Sequence, residues 1–153
     1  MKHCVHIYCG DGKGKTTAAA GLAARMAGYG KKVLFVQFFK GGETGEINLF
    51  LGLPQFQILR SEKPFPFTFQ MGEAQKQELR EIHNGLLRQA LEQCRSEALL
   101  QKFLSELRGR MEIVLTGRTP PKAYLDLADY VTEMTLRKHP YGQGLEARRG
   151  VEY

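Results

Sequence analysis

The sequence predicts an α/β fold with a mostly parallel central sheet. Two observations carry this prediction. A short apolar segment runs into a glycine-rich turn that opens an alanine-rich helix, and a second apolar segment follows, giving strand, helix and strand within the first 39 residues. Further strand-length apolar segments then recur after helical stretches, the order expected of an α/β chain. At 153 residues the chain is long enough for one domain, 1–153, with a substantial buried core.

The elements follow in order. His3–Cys9 carries β-branched and aromatic residues up to a glycine turn and is expected as a strand. Thr16–Gly28 is alanine-rich and closes on Gly28 and Gly30, as a helix does when it stops at a left-handed position. Lys31–Phe39 holds a continuous apolar run, the pattern of a strand buried on both faces, so a parallel βαβ unit with a right-handed crossover is expected. From Gly41 to Gln70 glycines, three prolines and five phenylalanines predict loop with short elements, including a strand at Phe56–Leu59. Glu73–Arg108 reads as helical throughout. Met111–Leu115 is expected as a strand, Pro121–Ala128 as a short helix, and Tyr130–Met134 as a last short strand before an irregular tail.

Composition narrows the function classes. Lys and Arg number 22 against 16 Asp and Glu, a formal charge of +6 that suits an anionic partner. The basic residues are dispersed and the aromatics cluster in one loop, so nucleic acid is not the expected partner. No apolar run reaches the ~20 residues of a membrane span, and no signal peptide is recognisable, which makes a cytoplasmic location the default and a membrane partner unexpected. Cys4, Cys9 and Cys94 show no CxxC spacing and are expected as buried, reduced thiols.

The chemistry begins at Gly10-Asp11-Gly12-Lys13-Gly14-Lys15-Thr16-Thr17, between a predicted strand and a predicted helix. In that context a glycine loop lets backbone N–H groups converge on phosphate oxygens at the positive end of a helix. Lys15 is expected to reach the terminal phosphates and the Thr16 hydroxyl to take a Mg²⁺ ligand position. A strict phosphate loop has glycine five residues before Gly14. This chain has Cys9 there and is a variant. Phosphoryl transfer, mechanical work and simple binding all remain open to such a loop, but neither the strand ending at Phe39 nor that ending at Leu115 is followed by the acid that hydrolysis uses.

Further motifs stand in order: Gln37-Phe-Phe-Lys-Gly41, Thr44-Gly-Glu46, Leu115-Thr-Gly-Arg118, Ala128-Asp-Tyr-Val-Thr-Glu-Met134, Lys138-His-Pro-Tyr141 and Arg149-Gly-Val-Glu152. With the loop, they make the sequence resemble the P-loop ATP:corrinoid adenosyltransferases of the CobA, BtuR and CobO type, from about residue 5 onward. The resemblance implies a P-loop NTPase-like, RecA-like three-layer fold. It implies attack by a Co(I) corrinoid, such as cobalamin, on the 5′ carbon of ATP, with triphosphate expelled and Mg²⁺ as cofactor. It also implies a homodimer and an electron-donor protein such as a flavodoxin.

Carried over by residue, Gly10 to Thr17 match the family's phosphate loop, and Arg25 matches a first-helix arginine near the nucleotide, the alternative being a solvated helix charge. Arg118 follows a strand at the carboxyl edge of the sheet, as a phosphate contact or a structural ion pair. Lys40, Glu43 and Glu46 are expected at the nucleotide or a dimer partner, or as solvated loop charges. Phe67 and Phe69, in Pro64-Phe-Pro-Phe-Thr-Phe69, match aromatics that pack beneath the corrin ring and displace its lower axial ligand; the plain alternative is a loop tucking aromatics into the core. Many members carry an amino-terminal segment that helps cover the site, and the resemblance implies that here part of this cover is expected to be missing or supplied differently. The pattern is also expected to break at the Cys94/Arg95 junction, where the family has a strand ending in an Asp-Glu pair that completes the Mg²⁺ site. Without it, a parallel sheet lacks a central member, and one unbroken helix over Glu73–Arg108 would run ~54 Å.

Overall fold

The structure, a computed structural model, describes residues 3–39, 41–63, 65–66, 70–93, 104, 107–140, 144 and 146–151. Two compact units are present. One comprises Met1–Arg25 with Ala98–Ala147, the other Met26–Glu97 with Arg148–Tyr153.

The first unit is built on β1 (Val5–Cys9), with α1 (Lys15–Gly28) beginning directly after the glycine loop. Later in the chain come β4 (Ile113–Thr116), α4 (Lys122–Leu127) and β5 (Tyr130–Glu133). β1 is the central strand of three, pairing in parallel with β4 (Val5 opposite Ile113) and with β5 (His6 opposite Tyr130). Its alternate residues Val5, Ile7 and Cys9 are buried, as are Leu104, Leu107 and Ile113 of the same unit. Asp129 ties the strand down from the side. Its carboxylate accepts the Val5 N–H at 2.9 Å and the Arg108 guanidinium at 2.6 Å, while its own N–H donates to the Val5 carbonyl. Pro121 stands at the position before α4 with φ −56°, and makes no side-chain cap bond.

The second unit holds β2 (Val33–Gln37), α2 (Gly45–Leu51), β3 (Phe56–Arg60) and α3 (Glu73–Gln93). β2 and β3 form a parallel pair, with Gln37 opposite Arg60. Ile47 and Phe50 bury the inner side of α2, and Phe50 stacks on Phe56 with centroids 4.0 Å apart and meets Phe35 edge-on at 5.3 Å. Leu79, Leu86 and Ala90 of α3 are buried.

The α/β class and the parallel strands agree with the sequence reading. Among the described residues the strands form two sheets, of three and two members, because both edges of β1 are taken by β4 and β5 and no described strand lies between α3 and β4. β2 therefore lies in a different sheet from β1. It is also less buried than a doubly covered strand: Val33 to Val36 are half-buried, and only Gln37 is fully buried. The Gly41–Gln70 pattern does not reveal α2, since seven residues give too few turns for a period to show. The helix expected over Glu73–Arg108 is described only as α3, to Gln93, and the Cys94/Arg95 junction lies outside the described residues. Cys4 and Cys9 are free thiols, the second buried and the first partly exposed.

Candidate nucleotide-binding site

The glycine loop leaves the carboxyl end of β1, the middle strand, and is fastened on both sides. Beyond the paired region of β4, the Gly117 N–H donates to the Tyr8 carbonyl at 3.1 Å, and the Gly10 N–H donates to the Arg118 carbonyl at 3.0 Å. On the β5 side, the Met134 N–H donates to the Cys9 carbonyl at 2.9 Å, and the Gly12 N–H to the Met134 carbonyl at 2.6 Å. The backbone after β5 thus lies directly against the loop.

That contact explains two of the glycines. Gly10 has φ +97°, a left-handed conformation, and a Cβ there would stand 2.5 Å from the Met134 carbonyl oxygen. Gly12 has no such φ, but its Cβ would also meet that oxygen at 2.5 Å. Gly14, φ +110°, turns the chain into α1, whose first internal bond runs from the Ala18 N–H to the Gly14 carbonyl at 2.8 Å.

Charge is arranged around this frame. No acidic residue occupies the first turn of α1, so no side chain of the helix itself offsets the positive end of its dipole. The Lys15 ammonium donates to the Gly12 carbonyl at 2.6 Å, which folds the side chain back over the loop. Asp11 accepts the Leu136 N–H at 3.0 Å; that bond above all, with Lys15 close by, holds its carboxyl below the usual aspartate range. Asp11 is therefore an anchor between the loop and the strand-exit backbone. Thr16 is half-buried in the first turn, and Thr17 and Lys13 are exposed.

The structure brings Gly10 through Thr17 and the backbone of Arg118 together. It does not bring Arg25 to them. Arg25 is exposed in the last turn of α1, ten residues or about 15 Å of helix axis beyond Lys15. Phe67, Phe69 and Lys40 lie outside the described residues. Glu43 accepts Asn48 at 2.9 Å and Arg149 at 3.3 Å, an exposed loop contact with the tail. Sequence reasoning missed the roles of Met134 and Leu136, which act through backbone atoms. Their signal was the motif ending at Met134, recognised as a motif but not as loop support.

A strand that ends in a backbone-lined glycine loop and a helix amino terminus is built to hold phosphates. The model of the family described as ATP:corrinoid adenosyltransferase BtuR/CobO/CobP matches this chain over residues 1–100 and 96–153. The chain belongs to the ATP:corrinoid adenosyltransferase family. Among its relatives, a corrinoid adenosyltransferase of Escherichia coli K12 is 32% identical over 167 aligned positions, covering 96% of this chain and 84% of the relative. One of Pseudomonas aeruginosa is 32% identical over 169 positions, covering 96% and 82%. Corrinoid adenosyltransferase CobA of Salmonella typhimurium is likewise 32% identical, covering 96% of this chain and 84% of its own. In the first alignment, 96% of 153 residues is about 147, some 20 fewer than the aligned positions.

Proposed function

We propose that the protein transfers the 5′-deoxyadenosyl group of ATP to the cobalt of a reduced corrinoid such as cobalamin, releasing triphosphate. The observation that carries this reading is the loop at the end of β1, fastened by Arg118 and Met134 and leading into a helix without acid in its first turn. In the reaction Co(I) attacks the ribose 5′ carbon. The cobalt–carbon bond forms with the electron pair of the metal, the bond from carbon to the triphosphate oxygen breaks, and triphosphate leaves with the pair of that broken carbon–oxygen bond. No proton is moved and no water is activated, so the protein's task is to position the groups and neutralise the leaving charge.

The residues divide that task. The N–H groups from Lys13 to Thr17 receive the phosphates, those of Gly10 and Gly12 being held by the Arg118 and Met134 carbonyls, and Lys15 exchanges the Gly12 carbonyl for a phosphate oxygen. Arg118 adds charge from the β4 side. Mg²⁺ keeps several waters and takes few protein oxygens, so it fits a site in which Thr16 supplies one ligand and the triphosphate the others. It would screen the leaving group. Among the described residues no group of three or more His, Cys, Asp or Glu side chains could hold a metal ion. Phe67 and Phe69 are assigned to the lower face of the corrin, and Arg25 keeps only a long-range role.

We further propose a single catalytic domain that lacks the family's Asp-Glu strand near the Cys94/Arg95 junction. Two facts support this: the family match comes in two stretches meeting at residues 96–100, and the relatives' alignments are longer than the stretch of this chain they cover. A cytoplasmic homodimer receiving electrons from a flavodoxin-like protein completes the reading; no helix among the described residues is long and apolar enough to cross a membrane. The test is to incubate the protein with chemically reduced cob(I)alamin and Mg·ATP. Light-sensitive adenosylcobalamin and free triphosphate are expected in equal amounts; phosphate released without a corrinoid would instead make the protein an ATPase.

A further inference from the structure

The second unit contains buried polar atoms that the reading above does not use. Gln37 is 7% exposed and Thr44 4% exposed. Among the described residues, neither the Gln37 amide oxygen and nitrogen, nor the Thr44 hydroxyl, nor Nε2 of His83 has a hydrogen-bond partner. Buried polar groups are nearly always paired, so four at one end of a two-stranded sheet call for a ligand.

Local contacts gather them there. Gln37 is the last residue of β2. His83, on α3, hydrogen-bonds the backbone of Phe38, the next residue, and its ring lies 5.6 Å from the Phe38 ring and 6.3 Å from that of Phe39. Arg60, opposite Gln37 on β3, donates to the Gly42 carbonyl and draws the loop that carries Thr44 back toward the same strand ends. Thr44 precedes α2 in an extended conformation but makes no side-chain cap bond.

The chemistry of the ligand follows from the atoms. Burial pushes the His83 pKa down, outweighing the Phe38 bond, so the ring is neutral. With Nδ1–H given to the Phe38 carbonyl, Nε2 is an acceptor. The set is then two acceptors, Gln37 Oε1 and His83 Nε2, and two donors, Gln37 Nε2–H and the Thr44 hydroxyl. A primary carboxamide is its complement, with two N–H donors and an oxygen bearing two lone pairs. A carboxylate brings no donor and sets charge against both acceptors. An ester brings no donor either, and an adenine edge leaves one protein donor unmet. Phe38 and Phe39, each 37% exposed, add apolar surface beside the set.

We propose that Gln37, Thr44 and His83 form a subsite for one primary carboxamide on the rim of the corrinoid, so that the protein selects amidated corrinoids over those with free carboxylates. This rests on the corrinoid reading above. The corrin ring is an apolar disc whose rim carries short acid arms, free in some corrinoids and amidated in others, and both parts of the subsite match it.

Equilibrium dialysis of the full chain against dicyanocobinamide, dicyanocobyrinic acid and the neutral heptamethyl ester of that acid tests this. The amidated corrinoid is expected to bind roughly tenfold or more tightly than either of the others. Gln37→Leu should bring its affinity to the level of the ester while leaving ATP binding and Tm no lower than in the wild type. Equal affinities for all three in the wild type, or an undiminished amide preference in Gln37→Leu, would overturn the subsite alone. Binding of none of them would overturn the corrinoid reading and the subsite together. Should Gln37→Leu not fold, the amide-to-ester comparison on the wild type decides.

Discussion

Gly12→Ala is the substitution whose effect can be worked most directly from the structure. The added methyl would stand 2.5 Å from the Met134 carbonyl oxygen, 2.7 Å from its carbon and 2.9 Å from the Thr135 carbonyl carbon. Ordinary contact begins at 3.4 Å, so the Met134 oxygen must retreat by about 0.9 Å. That oxygen is also the acceptor of the Gly12 N–H at 2.6 Å, and the same retreat stretches the bond to about 3.5 Å, past a useful length. Overpacking costs about 1–3 kcal/mol and the bond about 1 kcal/mol, together about 2–4 kcal/mol. For a chain of this size the melting temperature should fall by roughly 5–15 °C. Gly21→Ala is the control, since nothing lies within 4 Å of its Cβ position and it sits on α1. That change should stabilise by about 1 kcal/mol. Differential scanning calorimetry gives both numbers, and equilibrium dialysis should show ATP binding weakened at least roughly tenfold in Gly12→Ala alone. A Gly12→Ala protein that melts with the wild type and binds ATP equally well would refute the close approach of loop and strand-exit backbone.

Three more outcomes are expected. Asp129→Ala strips the buried Val5 N–H of its acceptor and should cost about 2 kcal/mol, whereas Asp129→Asn, which keeps an acceptor, should cost less by denaturant titration. Burial pushes the Glu112 carboxyl up, but the His6 bond at 2.6 Å, the Cys4 N–H and the nearby His3 outweigh it and hold its pKa below the ordinary 4.5. A lowered folded-state pKa contributes stability above the unfolded value and loses it as pH falls below 4.5; Glu112→Gln should abolish that part of the acid dependence in unfolding curves, and an unchanged acid limb would count against the pairing. Phe67→Ala should spare ATP binding yet slow adenosylation when Co(II) corrinoid is supplied with a weak reductant, and unchanged rates in a stopped assay would remove Phe67 from the corrin face.

Much of this was legible in the chain itself because local rules sufficed. β1, the glycine loop and α1 announce themselves through an apolar run, left-handed glycines and an alanine-rich helix, and Pro121 marks the start of α4. The strand expected at Phe56–Leu59 ends one residue short of β3. What could not be read depended on partners distant in sequence. The apolar run of β2 gives no sign that the strand pairs only with β3 among the described strands, and the Lys31–Phe39 pattern overstates its burial. Arg25 looks eligible by motif, yet ten residues of rigid helix set it about 15 Å from Lys15. Met134 and Leu136 support the loop through backbone groups that any side chain could accompany. The polar atoms of Gln37, Thr44 and His83 become conspicuous only once each is buried without a partner.

The central claim is that carbon, not phosphorus, is the electrophile. ATP labelled with ¹³C at the ribose 5′ position, supplied with Mg²⁺ and chemically reduced cob(I)alamin, reports on it by NMR. The account predicts that the label moves to a carbon bonded to cobalt and that triphosphate appears in equal amount. Label retained in ADP or AMP, with phosphate or pyrophosphate released, would contradict it.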